Sequence, residues 1–117
     1  MDLRHLFGSA GEYSAADYLK RKQYKILGQN FSCRFGEIDI IAQKNNFVVF
    51  VEVKTRKNEK FAQAREYVTR AKQERVMKAA MLWLQQNDVD LQPRFDVIEV
   101  VGDGRAQKIN HIEDAFS

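Results

Sequence analysis

Residues 36–54 read GEIDIIAQKNNFVVFVEVK and contain two strand patterns on either side of a turn. Gly36 to Gln43 alternates, so that Glu37, Asp39 and Ile41 face one side of a strand and Ile38, Ile40 and Ala42 face the other. Phe47 to Lys54 is rich in β-branched and aromatic residues, which favours a second strand. Asparagine tolerates positive φ, so Asn45-Asn46 suits the turn between them. The stretch therefore predicts an antiparallel hairpin.

The hairpin predicts which side chains oppose each other. If it is centred on its two asparagines, paired residues have numbers that sum to 91. Asp39 then lies opposite Glu52 and Glu37 opposite Lys54, while Glu52 and Lys54 share one face of their strand. Directly opposed like charges destabilise a sheet. A divalent cation that bridged Asp39 and Glu52 would remove that repulsion, so the pattern predicts a metal site.

Two carboxylates and a lysine suit phosphodiester hydrolysis. Oxygen ligands hold Mg²⁺ while it keeps several waters, which leaves positions for a phosphate oxygen and for an attacking water. Lys54 would orient that water or stabilise the charge that develops on the phosphate. The alternative is structural: Lys54 pairs with Glu37, and Glu52 pairs with an arginine on an exposed sheet face.

The flanking sequence predicts one α/β domain. Ser9 and Glu12 form a capping-box pattern for a first helix, and Thr69 suits the N-cap of a second. Each helix is predicted to turn one stripe of residues towards the core. These stripes are Tyr13, Ala15, Ala16 and Leu19 in the first helix, and Gln73, Met77, Ala80 and Leu84 in the second. In chain order we predict a helix over 9–23, strands over 24–31, 36–43 and 47–54, a loop over 55–63, a helix to about 86, a strand over 94–101, a turn at 102–104 and a strand over 106–112. This order predicts a mixed sheet flanked by helices.

Composition excludes several classes of protein. The 117 residues fit a single domain, 1–117, and with 44% apolar residues a core is possible. Cys33 has no cysteine to pair with, and two histidines are too few for a Cys/His zinc site. No apolar run approaches the roughly 20 residues that span a bilayer. We therefore expect a cytoplasmic protein without membrane association.

Charge is concentrated in one part of the chain. Between Lys54 and Lys78 there are nine basic residues against three acidic ones, a net charge of +6, whereas the rest of the chain carries −3. A basic block of this kind predicts a polyanionic partner, most simply nucleic acid. The alternative is a solvated helix face.

Five sequence blocks, which span roughly residues 8–98, resemble the YraN-like bacterial family: GEYSAADYLKRKQYKILGQNF, FGEIDIIAQ, VVFVEVKTR, VTRAKQ and RFDVI. That family is similar to the archaeal Holliday-junction resolvases and, through them, to the PD-(D/E)xK nuclease superfamily. The resemblance implies a restriction-endonuclease-like (tRNA endonuclease-like) core, with Asp39, Glu52 and Lys54 at the catalytic positions. It also implies that Glu12 completes the acidic cluster as a metal ligand, although helix capping alone would explain this residue.

Further candidates lie around this cluster. Gln73 is predicted on the inner face of its helix, where a buried amide needs hydrogen-bond partners, and the superfamily often places a polar residue there against the catalytic lysine. Arginine grips phosphate bidentately, so Arg34 and Arg56, which flank the motif strands, are candidate phosphate contacts. The remaining candidates for nucleic-acid binding come from the basic block: Lys57, Arg70, Lys72 and Arg75.

Together these features predict a Mg²⁺- or Mn²⁺-dependent endonuclease that acts on structured or branched DNA. The first alternative is a nucleic-acid-binding module that has the same fold but no turnover. The second is a protein-interaction domain that binds no nucleic acid. A domain this small can hardly embrace a four-way junction alone, so we expect a homodimer.

Overall fold

The computed structural model describes residues 10–56, 69–102 and 107–117. Two helices and five strands follow one another in the predicted order. They are α1 (Ala10–Arg21), β1 (Lys25–Cys33), β2 (Gly36–Lys44), β3 (Phe47–Arg56), α2 (Arg70–Asn87), β4 (Gln92–Val101) and β5 (Lys108–Phe116).

The five strands form one mixed sheet in the order β1-β2-β3-β4-β5. Neighbouring strands are antiparallel except for β3 and β4, which are parallel. Parallel strands need a crossover connection, and α2 lies within that connection. The prediction of a single α/β domain with a mixed sheet is confirmed.

The two helices cover opposite faces of the sheet. Successive residues of a strand point to opposite faces, and β3 shows this directly. Val48 and Phe50 pack in the cluster that contains the buried residues of α2, whereas Val49 and Val51 pack in the cluster that contains those of α1. The side chain of Glu52, two residues beyond Phe50, therefore belongs to the α2 face.

Both helices differ in detail from the prediction. Thr69 is the N-cap of α2, as expected, and its hydroxyl accepts a hydrogen bond from Lys72 N at 3.2 Å. The buried stripe of α2, however, is Val76, Ala79, Ala80 and Trp83, so the predicted stripe was rotated by about one residue. In α1 the residue Tyr13 is 42% exposed, and Gly11 is buried in its place. Small residues there allow the helix to pack closely on the sheet.

The β2–β3 hairpin has the predicted register. Its pairs run from Lys44–Phe47 to Ile40–Val51, and all have numbers that sum to 91. This regular pairing stops one residue before Asp39 and Glu52.

The predicted alternation along β2 also fails at this point. Ile38 packs with Ile41 in the α2 cluster, although strict alternation would place it with Ile40 on the other face. On the neighbouring strand Asn30 has a φ of 50°, which is incompatible with a regular strand. The sheet is therefore distorted where Asp39 lies.

Several predicted boundaries need correction. Strand β3 extends to Arg56, so Thr55 lies in a strand rather than in a loop. The last strand begins at Lys108 and ends at Phe116, later than predicted, and β1 continues to Cys33. Ser9 of the proposed capping box, most of the predicted loop and residues 103–104 of the predicted turn lie outside the described residues.

A buried ion cluster stabilises the face that α1 covers. Asp96 is fully buried, and its carboxylate accepts two hydrogen bonds from Arg94, at 2.9 and 2.8 Å, and one from Asp114 N at 3.0 Å. His111 Nε2 lies 2.7 Å from the same carboxylate. Burial would raise the pKa of Asp96, but its bonds with His111 and Arg94 outweigh burial and lower it. This cluster links β4 to β5.

No helix in the described part of the chain is long and apolar enough to cross a membrane.

Candidate active site

A cleft of about 640 Å³ opens where the β2–β3 pairing ends. Residues from α1, β1, β2, β3 and α2 contribute to its walls. The lining residues are Glu12, Cys33, Arg34, Phe35, Gly36, Glu37, Asp39, Glu52, Lys72, Arg75 and Val76. Three predicted acidic residues and three predicted phosphate contacts therefore share one cleft.

Asp39 lies half-buried in this cleft, at the distorted point of β2. Its Oδ2 accepts a hydrogen bond from Val53 N at 2.8 Å, so the side chain bridges to β3 beyond the last regular backbone pair. Burial and the neighbouring Glu52 carboxylate raise the pKa of Asp39 from its ordinary value of 3.8 to about 7. An acid with this pKa sits in an environment that disfavours its negative charge.

Glu52 is only 5% exposed and forms an ion pair with a lysine of α2. Lys72 Nζ lies 2.6 Å from Glu52 Oε1, and Lys54 Nζ lies 3.8 Å from the same oxygen. The alternative structural pairing, Lys54 with Glu37 and Glu52 with an arginine, is therefore not the one observed. Both lysines are partly exposed, at 26% for the Lys54 side chain and 34% for that of Lys72.

The pKa values of the two lysines are shifted in opposite directions. Burial and the nearby Lys72 ammonium lower the pKa of Lys54. Burial acts in the same direction on Lys72, but the hydrogen bond with Glu52 outweighs it and raises the pKa of Lys72. Glu52 thus stabilises the positive charge of Lys72 more than that of Lys54. Lys54 does not belong to the cleft lining, whereas Lys72 does.

Glu12 reaches the cluster from α1. Its carboxyl hydrogen-bonds with that of Asp39, and its charge contributes to the raised pKa of Asp39. A hydrogen bond between two carboxyl groups requires that one of them carries a proton. The sequence prediction that Glu12 joins the acidic residues is supported by this placement.

The donor set of the cleft fits a magnesium-like ion through two carboxylates. Among the described residues, no group of three or more His, Cys, Asp or Glu side chains is arranged to hold a metal ion. Mg²⁺ does not need such a cage, because it commonly binds to one or two carboxylates and keeps its waters. Asp39 and Glu52 offer hard oxygen donors, and burial together with the neighbouring Glu52 charge raises the pKa of Asp39. One oxygen of Glu52 is occupied by Lys72.

The other predicted site residues are distributed unevenly. Arg34 and Arg75 line the cleft, as expected for phosphate contacts. The Arg56 side chain is largely buried, with Nε 2.5 Å from Glu99 Oε2, so the structure places it in an ion pair with β4 rather than in the cleft. Arg70 pairs with Glu74 on the exposed side of α2, away from the lining. Lys57 lies outside the described residues.

Lys72 lines the cleft, whereas its neighbour Gln73 is not among the described lining residues. Gln73 is half-buried but is not a lining residue, so its proposed contact with the catalytic lysine remains a prediction. Lys72, expected to face phosphate or solvent, instead binds Glu52. The signal was available: Lys72 lies four residues before Val76, which begins the buried stripe of α2, and residues at this spacing share a helix face.

A family model described as "Uncharacterised protein family UPF0102" matches residues 11–100. The chain belongs to the UPF0102 family. This assignment confirms the resemblance to the YraN-like proteins, which are the same family. The matched range contains every described residue of the cleft.

Relatives cover nearly the whole chain. A UPF0102 protein of Geobacter metallireducens is 47% identical over 110 residues, which cover 93% of this chain and 90% of the relative. One from Caldanaerobacter subterraneus subsp. tengcongensis is 47% identical over 113 residues and covers 93% of each chain. One from Vibrio parahaemolyticus is 45% identical over 114 residues and covers 94% of this chain and 91% of the relative. The similarity therefore spans nearly the full length of each of these three relatives.

Proposed function

We propose that this UPF0102 protein is a metal-dependent endonuclease that hydrolyses phosphodiester bonds in structured or branched DNA. The observation that carries the proposal is the cleft, which Asp39 and Glu52 line together with Arg34 and Arg75 and in which two lysines lie near Glu52. The resemblance of the two strand motifs to archaeal Holliday-junction resolvases and the PD-(D/E)xK superfamily supports it. That resemblance also favours DNA with non-standard structure as the substrate.

Each residue has a defined task in this proposal. Asp39 and Glu52 hold a Mg²⁺ or Mn²⁺ ion, which when bound would polarise the phosphate and make water more acidic. The Val53 N–H orients the Asp39 carboxylate from behind, and Glu12 contacts the same carboxylate from α1. Lys54 stabilises the negative charge that develops on the phosphate oxygens as water attacks phosphorus and a P–O ester bond breaks. Arg34 and Arg75 bind neighbouring phosphates.

A nucleic-acid-binding module without turnover is the second candidate. The ion pair between Lys72 and Glu52 favours it, because the cluster already contains a cation of its own. A binding module needs the basic residues of the cleft but neither the metal nor the pair of carboxylates. The two candidates therefore differ in their requirement for Asp39.

The test is cleavage and binding on one panel of DNAs. Labelled four-way junction, flap and linear duplex DNAs are incubated with the full chain in MnCl₂ or EDTA. We expect metal-dependent cleavage of a branched substrate that is lost in the variant Asp39→Asn, while DNA binding remains. Exposed Asp90, outside the cleft, provides the matched control Asp90→Asn, which should cleave as wild type does. Tight binding without cleavage in any metal would instead support the binding module.

The same preparation tests the expected homodimer. Sedimentation equilibrium of the protein alone and of its junction complex gives the number of chains in each. Two chains per junction would agree with the proposal, whereas one chain per junction would contradict it.

A further inference from the structure

Among the described lining residues of the cleft, Lys72 is the one lysine, and it contacts Glu52, the most buried carboxylate of that set. Its Nζ lies 2.6 Å from Glu52 Oε1, a distance typical of a charge-assisted hydrogen bond. The side chain extends from the first turn of α2 on the same helix face as Val76 and Ala79. The helix thus fixes the position of the Lys72 backbone while the four-carbon side chain remains able to move.

The Lys72 ammonium binds one of the two carboxylates that would hold a divalent cation. Ionised Glu52 and Asp39 repel each other, and an ammonium at hydrogen-bond distance from Glu52 offsets part of that repulsion. A magnesium ion binds carboxylate oxygens at about 2.0–2.1 Å. An ion bound to Glu52 and the Lys72 ammonium would then lie on the same carboxylate at close range and would repel each other.

We infer that Lys72 is a positioning residue that holds Glu52 while no divalent cation is bound and moves to the phosphate of the substrate when the cation binds. This inference rests on the proposed function. Displacement is physically accessible because the Lys72 side chain is one-third exposed and already lines the cleft. Lysine acts on phosphate as a mobile point charge, unlike the rigid fork of arginine.

The consequence is positive coupling between cation and phosphate. The cation expels the ammonium from Glu52, and a phosphate in the cleft gives that ammonium a new partner. Each ligand therefore removes part of the energetic cost of binding the other, and by linkage the effect is reciprocal. Lys54 does not line the cleft and lies farther from Glu52, so it is less suited to this exchange.

The test is Mn²⁺ binding to the full chain and to the variant Lys72→Met, measured by titration calorimetry at pH 8 without nucleic acid. Methionine retains much of the length of lysine and removes the competing charge. We expect the variant to bind Mn²⁺ at least about fivefold more tightly than wild type. Lys78→Met is the matched control, because Lys78 lies on the exposed side of the same helix and outside the cleft; it should bind as wild type does.

A second titration measures the coupling itself. The probe is a four-way junction DNA with a phosphorothioate backbone, which resists hydrolysis. In wild type and in Lys78→Met the DNA should increase Mn²⁺ affinity by a larger factor than it does in Lys72→Met. An equal factor in all three proteins would overturn the inference.

The outcomes separate this inference from the proposed function. If wild type and Lys72→Met bind Mn²⁺ with the same affinity, the inference is wrong while the metal site stands. If neither binds Mn²⁺, the proposed metal-dependent function is wrong, and the inference falls with it. If only Lys72→Met binds Mn²⁺, Lys72 excludes the cation from the free protein, as the inference requires.

Protein stability provides a readout without metal. Removal of Lys72 leaves the buried Glu52 charge with Lys54 alone, so Lys72→Met should unfold at a lower temperature than Lys78→Met in EDTA and recover on addition of MnCl₂. The double variant Lys72→Met/Glu52→Gln removes that charge and should restore the stability in EDTA. If Lys72→Met is as stable as Lys78→Met in EDTA, the ion pair between Lys72 and Glu52 does not stabilise the folded protein, which contradicts the inference.

Discussion

The raised pKa of Asp39 makes a quantitative prediction for the variant Asp39→Asn. The amide retains an oxygen that can accept the Val53 N–H hydrogen bond and removes the charge that Glu52 repels. The folded protein binds the Asp39 proton up to about pH 7, whereas the unfolded chain releases it near pH 3.8. Wild-type stability should therefore fall as pH rises from about 4 to 7, because the folded state binds more protons than the unfolded state in that range.

The size of the effect follows from the two pKa values. A pKa of about 7 instead of 3.8 corresponds to about 4 kcal/mol of unfavourable free energy when Asp39 is ionised. The site is open to solvent on one side and can relax, so we expect about half of this. Asp39→Asn should then be more stable than wild type by about 2 kcal/mol at pH 8, a rise in Tm of roughly 5–10 °C for a domain of this size.

The assay is urea denaturation of both proteins in EDTA at pH 5 and at pH 8. At pH 5 the folded protein keeps Asp39 largely protonated, whereas the unfolded chain already releases that proton, so the advantage of the variant should be smaller than at pH 8 and should decline further towards pH 4. Calorimetric titration at pH 8 should at the same time show that Asp39→Asn no longer binds Mn²⁺. Asp90→Asn controls for the loss of an exposed carboxylate. A variant less stable than wild type at pH 8, or equally stabilised at both pH values, would refute the reasoning.

Three further predictions test other parts of the molecule. Lys54→Ala should lower the single-turnover cleavage rate by roughly 10²–10³ with little effect on Mn²⁺ affinity, as measured by quench-flow and calorimetry; a wild-type rate would remove Lys54 from the mechanism. If Arg34 and Arg75 bind phosphates, alanine at either position should reduce the log–log dependence of DNA affinity on salt by about 0.9; an unchanged slope would show a solvated surface. Asp96→Ala leaves the largely buried Arg94 with the exposed Glu113 carboxylate in place of its buried one and should cost about 3–5 kcal/mol in urea denaturation. Asp96 does not line the cleft, so Mn²⁺ binding by the folded protein should persist; unchanged stability would contradict the buried cluster.

The sequence was sufficient for the hairpin because two independent signals agree there. The pair of asparagines fixes the turn, and apolar alternation fixes the faces, so the register of five residue pairs follows from the numbers alone. The distortion at Asp39 could not be predicted in the same way. It coincides with the positive φ of Asn30 on the neighbouring strand, and a contact across strands is not visible in the local pattern of either.

The faces of α2 show a different limit. Alanine and methionine occur on both sides of this helix, so apolar periodicity alone allowed a rotation by one residue. The predicted stripe did not include Lys72, which lines the cleft and pairs with Glu52. Similarly, the charge of Arg56 suggested phosphate binding, but its partner Glu99 lies on β4, 43 positions away in the chain. The basic composition of residues 54–78 located the charged region of the chain. The ion-pair partner of each basic side chain became visible only in the folded structure.

The carboxylates themselves distinguish the two candidate functions on physical grounds. A cleft that only bound phosphate would bind it more tightly without Asp39 and Glu52, since both repel the polyanion and both are costly to bury. The unfavourable energy of burying these carboxylates appears in the raised pKa of Asp39 and in the ion pair by which Lys72 compensates the charge of Glu52. A bound divalent cation would reverse this balance, because it would neutralise the two carboxylates and offer its own positive charge to a phosphate oxygen. The arrangement therefore benefits substrate binding only when a metal ion is present, and the Mn²⁺ dependence of DNA affinity in wild type, lost in Asp39→Asn, measures that reversal directly.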